Sequence, residues 1–142
     1  MRAGLETAMS LRDMIAMHPH VRGATNNPLI DAAEMAAECA SICLACADAC
    51  LGEDMVAELT QCIRLDLDCA DVCAATARLA LRRAGSNEAG IQRLLQVCAE
   101  QCAACAEECA KHAEMHDHCR ICTDVCRRCE AACRAAAATI TP

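Results

Sequence analysis

The stretch Cys119–Cys133, CRICTDVCRRCEAAC, places cysteines at 119, 122, 126, 129 and 133, a spacing of 3, 4, 3, 4. At about 100° per residue these positions stay within an arc of about 80° on a helix. Arg120, Asp124, Arg127, Arg128, Glu130 and Arg134 fall outside that arc. The pattern predicts an amphipathic helix whose buried stripe is thiol instead of leucine.

The same spacing recurs upstream. Cys98, Cys102, Cys105 and Cys109 are spaced 4, 3, 4 on a predicted helix that opens at Ser86-Asn87-Glu88. Cys39, Cys43, Cys46 and Cys50 repeat that spacing. Their predicted helix has Asn27 as N-cap and Pro28 at its first position, and Gly52 ends it. Between these two lies a predicted helix over 53–84, closed by Gly85, with Cys62, Cys69 and Cys73 spaced 7 and 4. A 4, 3, 4 pattern from Cys62 would put its second member at Asp66. Two placements stay open: Asp66 among the thiols, or Leu65 turned inward with Asp66 on the flank.

Short connections make sequence neighbours antiparallel. The expected fold is therefore all-α: an antiparallel up-down-up-down four-helix bundle with a cysteine-lined core and a short N-terminal helix. Residues 1–27 form that helix and a linker, 28–138 the bundle and 139–142 a tail. Leu5, Met9 and Met14 or Ile15 give one side to the N-terminal helix, and the turn-rich HPHVRGATNNP ends it. His18 and His20 are assigned to this linker and not to metal. Val56, Leu59, Leu67, Val72, Leu79, Leu94, Leu95, Val97, Ile121 and Val125 are expected to seal helix against helix, with Met35 a hydrophobic plug.

Composition supports a sulfur interior. The 142 residues include 16 Cys and no Phe, Tyr or Trp, so small side chains must line the core. The net charge of −7 leaves no dominant basic face for nucleic acid. No apolar run is long enough to span a membrane. Met1–Met17 carries Arg2, Glu6, Arg12 and Asp13, which leaves no secretory apolar segment. The expected location is the reducing cytoplasm, where thiols stay free.

Four uses of the thiols compete. Cysteine packs as a small hydrophobe, but packing alone does not place sixteen in register. Disulfides at i and i+4 would crosslink nothing the helix does not already hold, and cross-helix pairs meet narrow geometry. Discrete iron–sulfur or zinc sites use closed sets of ligands and would leave many cysteines unused. Thiolates also select Cu(I), which accepts two or three sulfurs. Stripe neighbours about 5–6 Å apart allow bridging within or between helices. If each ion takes two thiolates and each thiolate bridges two ions, capacity is on the order of 16. Each Cu⁺ replaces one thiol proton, so filling the core buries no net charge. Multiple Cu(I) ions per chain is the reading that explains most.

One end of the bundle gathers softer and weaker ligands. Cys50 and Met55 share it with Cys109, His112, Met115, His116 and His118. Met115 stands four residues before Cys119 and His112 three after Cys109, each continuing a stripe. Thioether and imidazole beyond the last thiolates suit a loading mouth; for His116 and His118 a loop role is the competing reading.

CASICLACADAC, CIRLDLDCADVC, CAEQCAACAEEC and CRICTDVCRRCEAAC together resemble the bacterial copper storage proteins, the cysteine-rich four-helix-bundle family, over about 28–138. The resemblance implies many Cu(I) ions inside each bundle, thiolate ligation and a homotetramer. Without a signal segment, and with His rather than a Met cluster at the mouth, the chain is similar to the cytosolic kind. Carried over by position, the ligands are the sixteen cysteines, with Asp66 and His112 as accessory candidates. A copper chaperone or a low-molecular-weight thiol is the candidate donor.

The expected function is Cu(I) storage, buffering and detoxification by a binding protein. No nucleophile–base pair or phosphate loop suggests an enzyme. The alternatives are general sequestration of Zn(II), Cd(II) or Ag(I), and a thiol redox buffer.

Overall fold

The computed structural model describes residues 10–141. Five α-helices account for most of them: α1 Leu11–Ala16, α2 Asn27–Leu51, α3 Thr60–Ala80, α4 Glu88–Ala110 and α5 Asp117–Ala138. No strand occurs among the described residues. Helix α2 packs on α3 and α5, and α4 packs on α3 and α5, while the diagonal pairs make no close backbone contact. The four long helices thus form a ring around a central axis.

Side-chain contacts fix the directions. Cys43 and Cys126 meet in mid-bundle, whereas Cys46, further along α2, meets His118 at the start of α5. Cys62 likewise meets Cys109 while Cys73 meets Cys98, so α3 and α4 run antiparallel. The Asn26 amide donates to Thr139 Oγ1 at 2.9 Å, joining the start of α2 to the end of α5. This is the expected up-down-up-down bundle.

The helix ends differ from expectation in ways the local chemistry explains. The N-cap of α2 is Asn26, whose side chain accepts from the Leu29 N–H; Asn27 and Pro28 are the first two helical residues. A 3₁₀ turn at Val56–Leu59 precedes α3, which therefore begins at Thr60 and not at 53. Gly52–Met55 must reverse the chain, and the tighter 3₁₀ corner brings fully buried Leu59 under the end of the bundle. Helix α3 stops at Ala80 and not at 84, where Gly85 adopts φ +72° and the Asn87 amide donates to the Leu79 carbonyl. Asn87 therefore serves α3 and does not cap α4 with its side chain.

Helix α1 opens on a Ser10–Asp13 capping box, and residues 1–9 of the expected N-terminal helix lie outside the described residues. Arg12 ties it to α2 through Asn27 Oδ1 at 2.6 Å and Asp31 Oδ1 at 2.8 Å. Ile15 is its buried residue and Met14 faces solvent; Leu5 and Met9 lie outside the described residues. His18 and His20 sit in the following turn, with the His20 N–H donating to His18 Nδ1.

Alanine shares the seams with part of the expected aliphatic set. Leu59, Leu95 and Val125 are buried and Val72 and Leu79 pack half-buried against the core, but Leu67, Val97 and Ile121 are 43%, 47% and 47% exposed. Ala32, Ala33, Ala36 and Ala40 on α2 are buried, as are Ala70 and Ala77 on α3, Ala99 and Ala106 on α4, and Ala136 and Ala137 on α5. A side chain of one methyl lets backbones approach closely, which brings the short cysteine side chains of facing helices within reach of one another.

Candidate metal centre

All sixteen cysteines are buried, and all are free thiols. Their helical register makes this unavoidable: once the stripe of each long helix faces the axis, no cysteine points elsewhere. The sulfurs form runs of close contact along and between helices. Cys39 lies 3.8 Å from both Cys43 and Cys126, and Cys43 lies 3.6 Å from Cys126. On the other side of the axis Cys73 is 3.6 Å from Cys98 and from Cys102, and Cys69 is 3.7 Å from Cys102. These separations are far beyond a disulfide bond of about 2.05 Å.

Quartets connect the two sides. Cys39, Cys69, Cys73 and Cys102 hold their sulfurs within 4.8 Å of one another, as do Cys43, Cys105, Cys122 and Cys126. Cys39 and Cys102 belong to diagonal helices whose backbones do not touch. A metal–thiolate bond of about 2.3 Å, the zinc value, lets one ion reach sulfurs up to about 4.6 Å apart. The axis is thus a continuous series of places where a thiophilic ion can be shared.

Asp66 stands inside this sulfur column. It is fully buried, and its Oδ1 lies 3.1 Å from Cys105, 3.3 Å from Cys122 and 3.5 Å from Cys109. Of the two placements left open by the sequence, the structure takes the inward one, with Leu65 half-buried at the side. Burial pushes the Asp66 carboxyl up to about 8, with the negative charge of Cys122 adding to the rise and a hydrogen bond from Cys105 opposing it. Thr76, also fully buried, continues the α3 stripe three residues beyond Cys73 and donates to the Val72 carbonyl at 2.7 Å. The sequence reading passed over Thr76, although its register with Cys73 was visible.

The end near the α2–α3 turn differs in composition from the rest. Hydrogen bonds from Cys109 and then Cys46 bring the Cys62 thiol down to about 3, against the effect of burial. Burial instead raises Cys50, and it raises Cys119 to about 11. Cys46, Cys50, His118 and Cys119 form a fourth-ligand arrangement in which one imidazole replaces a sulfur. His118 Nδ1 lies 3.4 Å from Cys46 Sγ and 3.6 Å from Cys119 Sγ.

The other expected mouth residues are placed differently. Helix α4 ends at Ala110 and His112 lies in the turn just beyond it, near enough to Cys62 for its charge to lower that thiol; its Nε2 lies 3.2 Å from Glu108. Met115 precedes the start of α5 at Asp117 and is 63% exposed, so it does not continue the Cys119 stripe. Residues 111–115 are turns, and helical spacing does not run through them to α5. Met55 is half-buried against the core, and Met35 is half-buried at the opposite end. His116 and His118 converge on Glu53, a residue with no cysteine-register signal in the sequence.

The model of the copper storage protein family (Csp) matches residues 25–138. The chain belongs to the copper storage protein family. Within the family, the chain is similar to the copper storage protein Ccsp from Streptomyces lividans loaded with 10 copper equivalents. The two are 45% identical with a TM-score of 0.87, covering 92% of this chain and 100% of that one. A structure of copper loading to a cytosolic copper storage protein from the same organism, with five coppers, is 50% identical. Its TM-score is 0.79, over 81% of this chain and 96% of that one. The uncharacterized cysteine-rich protein YhjQ of Bacillus subtilis (strain 168) is 38% identical over 71 residues, half of this chain. The matched region spans 62% of that relative's length.

Proposed function

We propose that this chain is a cytosolic store of Cu(I) that binds many ions through the thiolates of its bundle core, and that it is not an enzyme. The observation that carries the reading is the continuous column of sixteen buried free thiols, bridged across the bundle diagonals. Family membership and the copper-loaded relatives support it. Each Cu⁺ displaces one proton from a thiol, so the interior gains metal without gaining charge. The sixteen cysteines are the proposed ligands, with Asp66 and His118 as accessory ligands near the mouth. His112, Met55 and His116 are left to line the approach, and Met115 faces solvent beside it. Assembly as a homotetramer and delivery by a copper chaperone or a low-molecular-weight thiol belong to the same proposal, as does a bundle unit over 28–138.

The deciding experiment is anaerobic titration of the fully reduced protein with Cu(I) against a competing chelator. Uptake on the order of 16 equivalents, near one per thiol, is expected from bridging thiolates. Saturation at one or two equivalents would overturn storage.

The buried quartets of cysteine favour one second reading, sequestration of Zn(II), Cd(II) or Ag(I), since four thiolates suit tetrahedral zinc. Retention of Cu(I) against excess Zn(II) excludes it; displacement of copper by zinc would establish it.

A further inference from the structure

Glu53 lies in the turn after α2, outside every cysteine stripe. Its Oε2 is 2.9 Å from His118 Nε2 and 3.2 Å from His116 Nδ1. The two imidazoles stack, with centroids 5.3 Å apart and ring planes 13° apart. An ionised carboxylate only accepts hydrogen bonds, so the bonded Nε2 of His118 carries a proton. In a neutral ring the opposite nitrogen, Nδ1 of His118, then bears the lone pair. His118 Nδ1 is the atom that faces Cys46 and Cys119. His116 Nε2 is buried and has no hydrogen-bond partner among the described residues.

We propose that Glu53 is a positioning residue that holds His118 in its Nε2–H tautomer, so that His118 presents a bare Nδ1 to an ion carried by Cys46, Cys50 and Cys119. The inference rests on the copper-storage reading above. Without Glu53, Nδ1 of His118 is free to keep its proton and donate it to a neighbouring thiolate. An arriving cation would then meet an N–H where it needs a lone pair. The carboxylate also anchors the outer edge of the ring and fixes its orientation, the usual work of an acidic partner behind a metal-binding histidine. The shared oxygen explains why two histidines separated by one residue stack face to face: each brings a different nitrogen to the same atom. The Glu53 N–H bonds the Cys50 carbonyl at 3.2 Å, so the backbone that carries the carboxylate is fixed to the last turn of the α2 stripe.

Two measurements test this. Long-range ¹H–¹⁵N NMR on the reduced, metal-free full chain with labelled histidine, with the His118 ring neutral, should show His118 protonated at Nε2. Nδ1 protonation of His118 would overturn the proposal without any mutation. Chelator-competed Cu(I) binding to E53A should then show affinity for the earliest equivalents reduced by about 10–100-fold. Later equivalents serve as the internal reference. E53Q, which keeps one acceptor oxygen, should lose less. Equal affinity of wild type and E53A for the first equivalents would overturn the role of Glu53. Failure of the wild type to take up many ions would instead defeat storage, and the tautomer measurement would still judge Glu53 on its own.

Discussion

Asp66 Oδ1 lies 3.1 Å from the sulfur of Cys105, so a carboxyl from α3 reaches across to a thiol of α4 inside the sulfur column. It meets Cys109 on the same helix and Cys122 on α5 as well. No cation stands among these neighbours, which is why burial dominates and the group is held protonated.

The stability of the metal-free protein should consequently depend on pH through Asp66. The ordinary value is 3.8 and the folded value about 8, so the folded chain holds an extra proton between them. The stabilisation is fully present below about pH 4 and is lost as pH rises towards about 8, at a slope of up to about 1.4 kcal/mol per pH unit. Denaturant unfolding of reduced protein should show this decline in the wild type and a flatter profile in D66N. Parallel profiles would remove the assignment.

Capacity should follow the thiol count. Replacing Cys73, Cys98, Cys102 and Cys129 with serine removes one buried quartet. Cu(I) uptake should fall by about four ions, at about one ion per thiolate, while far-ultraviolet circular dichroism keeps its helical signal. Undiminished uptake would show that these sulfurs are not ligands.

The alanine seams should resist enlargement. Ala36 and Ala99 are both fully buried where helices meet. Leucine at either position overpacks the seam and should cost about 1–3 kcal/mol, read as a lower urea midpoint. A larger effect on copper capacity than on stability would mean that the seam sets sulfur spacing more tightly than it sets packing.

Mouth residues should separate by placement. H118A removes the imidazole beside Cys46 and Cys119 and should weaken or slow uptake of the first equivalents. M115A removes an exposed side chain and should leave stopped-flow uptake unchanged. Equal slowing by both would restore Met115 to the path.

The bundle was legible because each stripe carries its period over several turns. Cys119 to Cys133 alone fixes one buried face, and three further stripes leave a ring of four as the way to hide them all. Asp66 was half legible: its register with Cys62, Cys69 and Cys73 pointed inward, but burying a carboxylate without a cation is costly enough to keep both placements open. The seams were legible in part: Leu59, Leu95 and Val125 are buried and Val72 and Leu79 pack on the core, whereas Leu67, Val97 and Ile121 face solvent and alanine takes their place. His112, Met115 and Glu53 lie in turns, where no period extends the helical pattern. Their neighbours depend on how the chain reverses, so only the three-dimensional arrangement reveals that Glu53 joins His116 to His118.

Cys43 and Cys126 sit 3.6 Å apart on different helices, as do Cys73 and Cys98. An ion held by either pair is a reversible staple between two segments distant in sequence. Local opening of a helix then requires breaking metal–sulfur bonds in addition to packing contacts. Empty and full molecules must differ in how often they expose cleavable backbone, so a protease meeting both would remove the empty containers first. Limited proteolysis should slow with each equivalent loaded, which would tie the lifetime of the container to its contents.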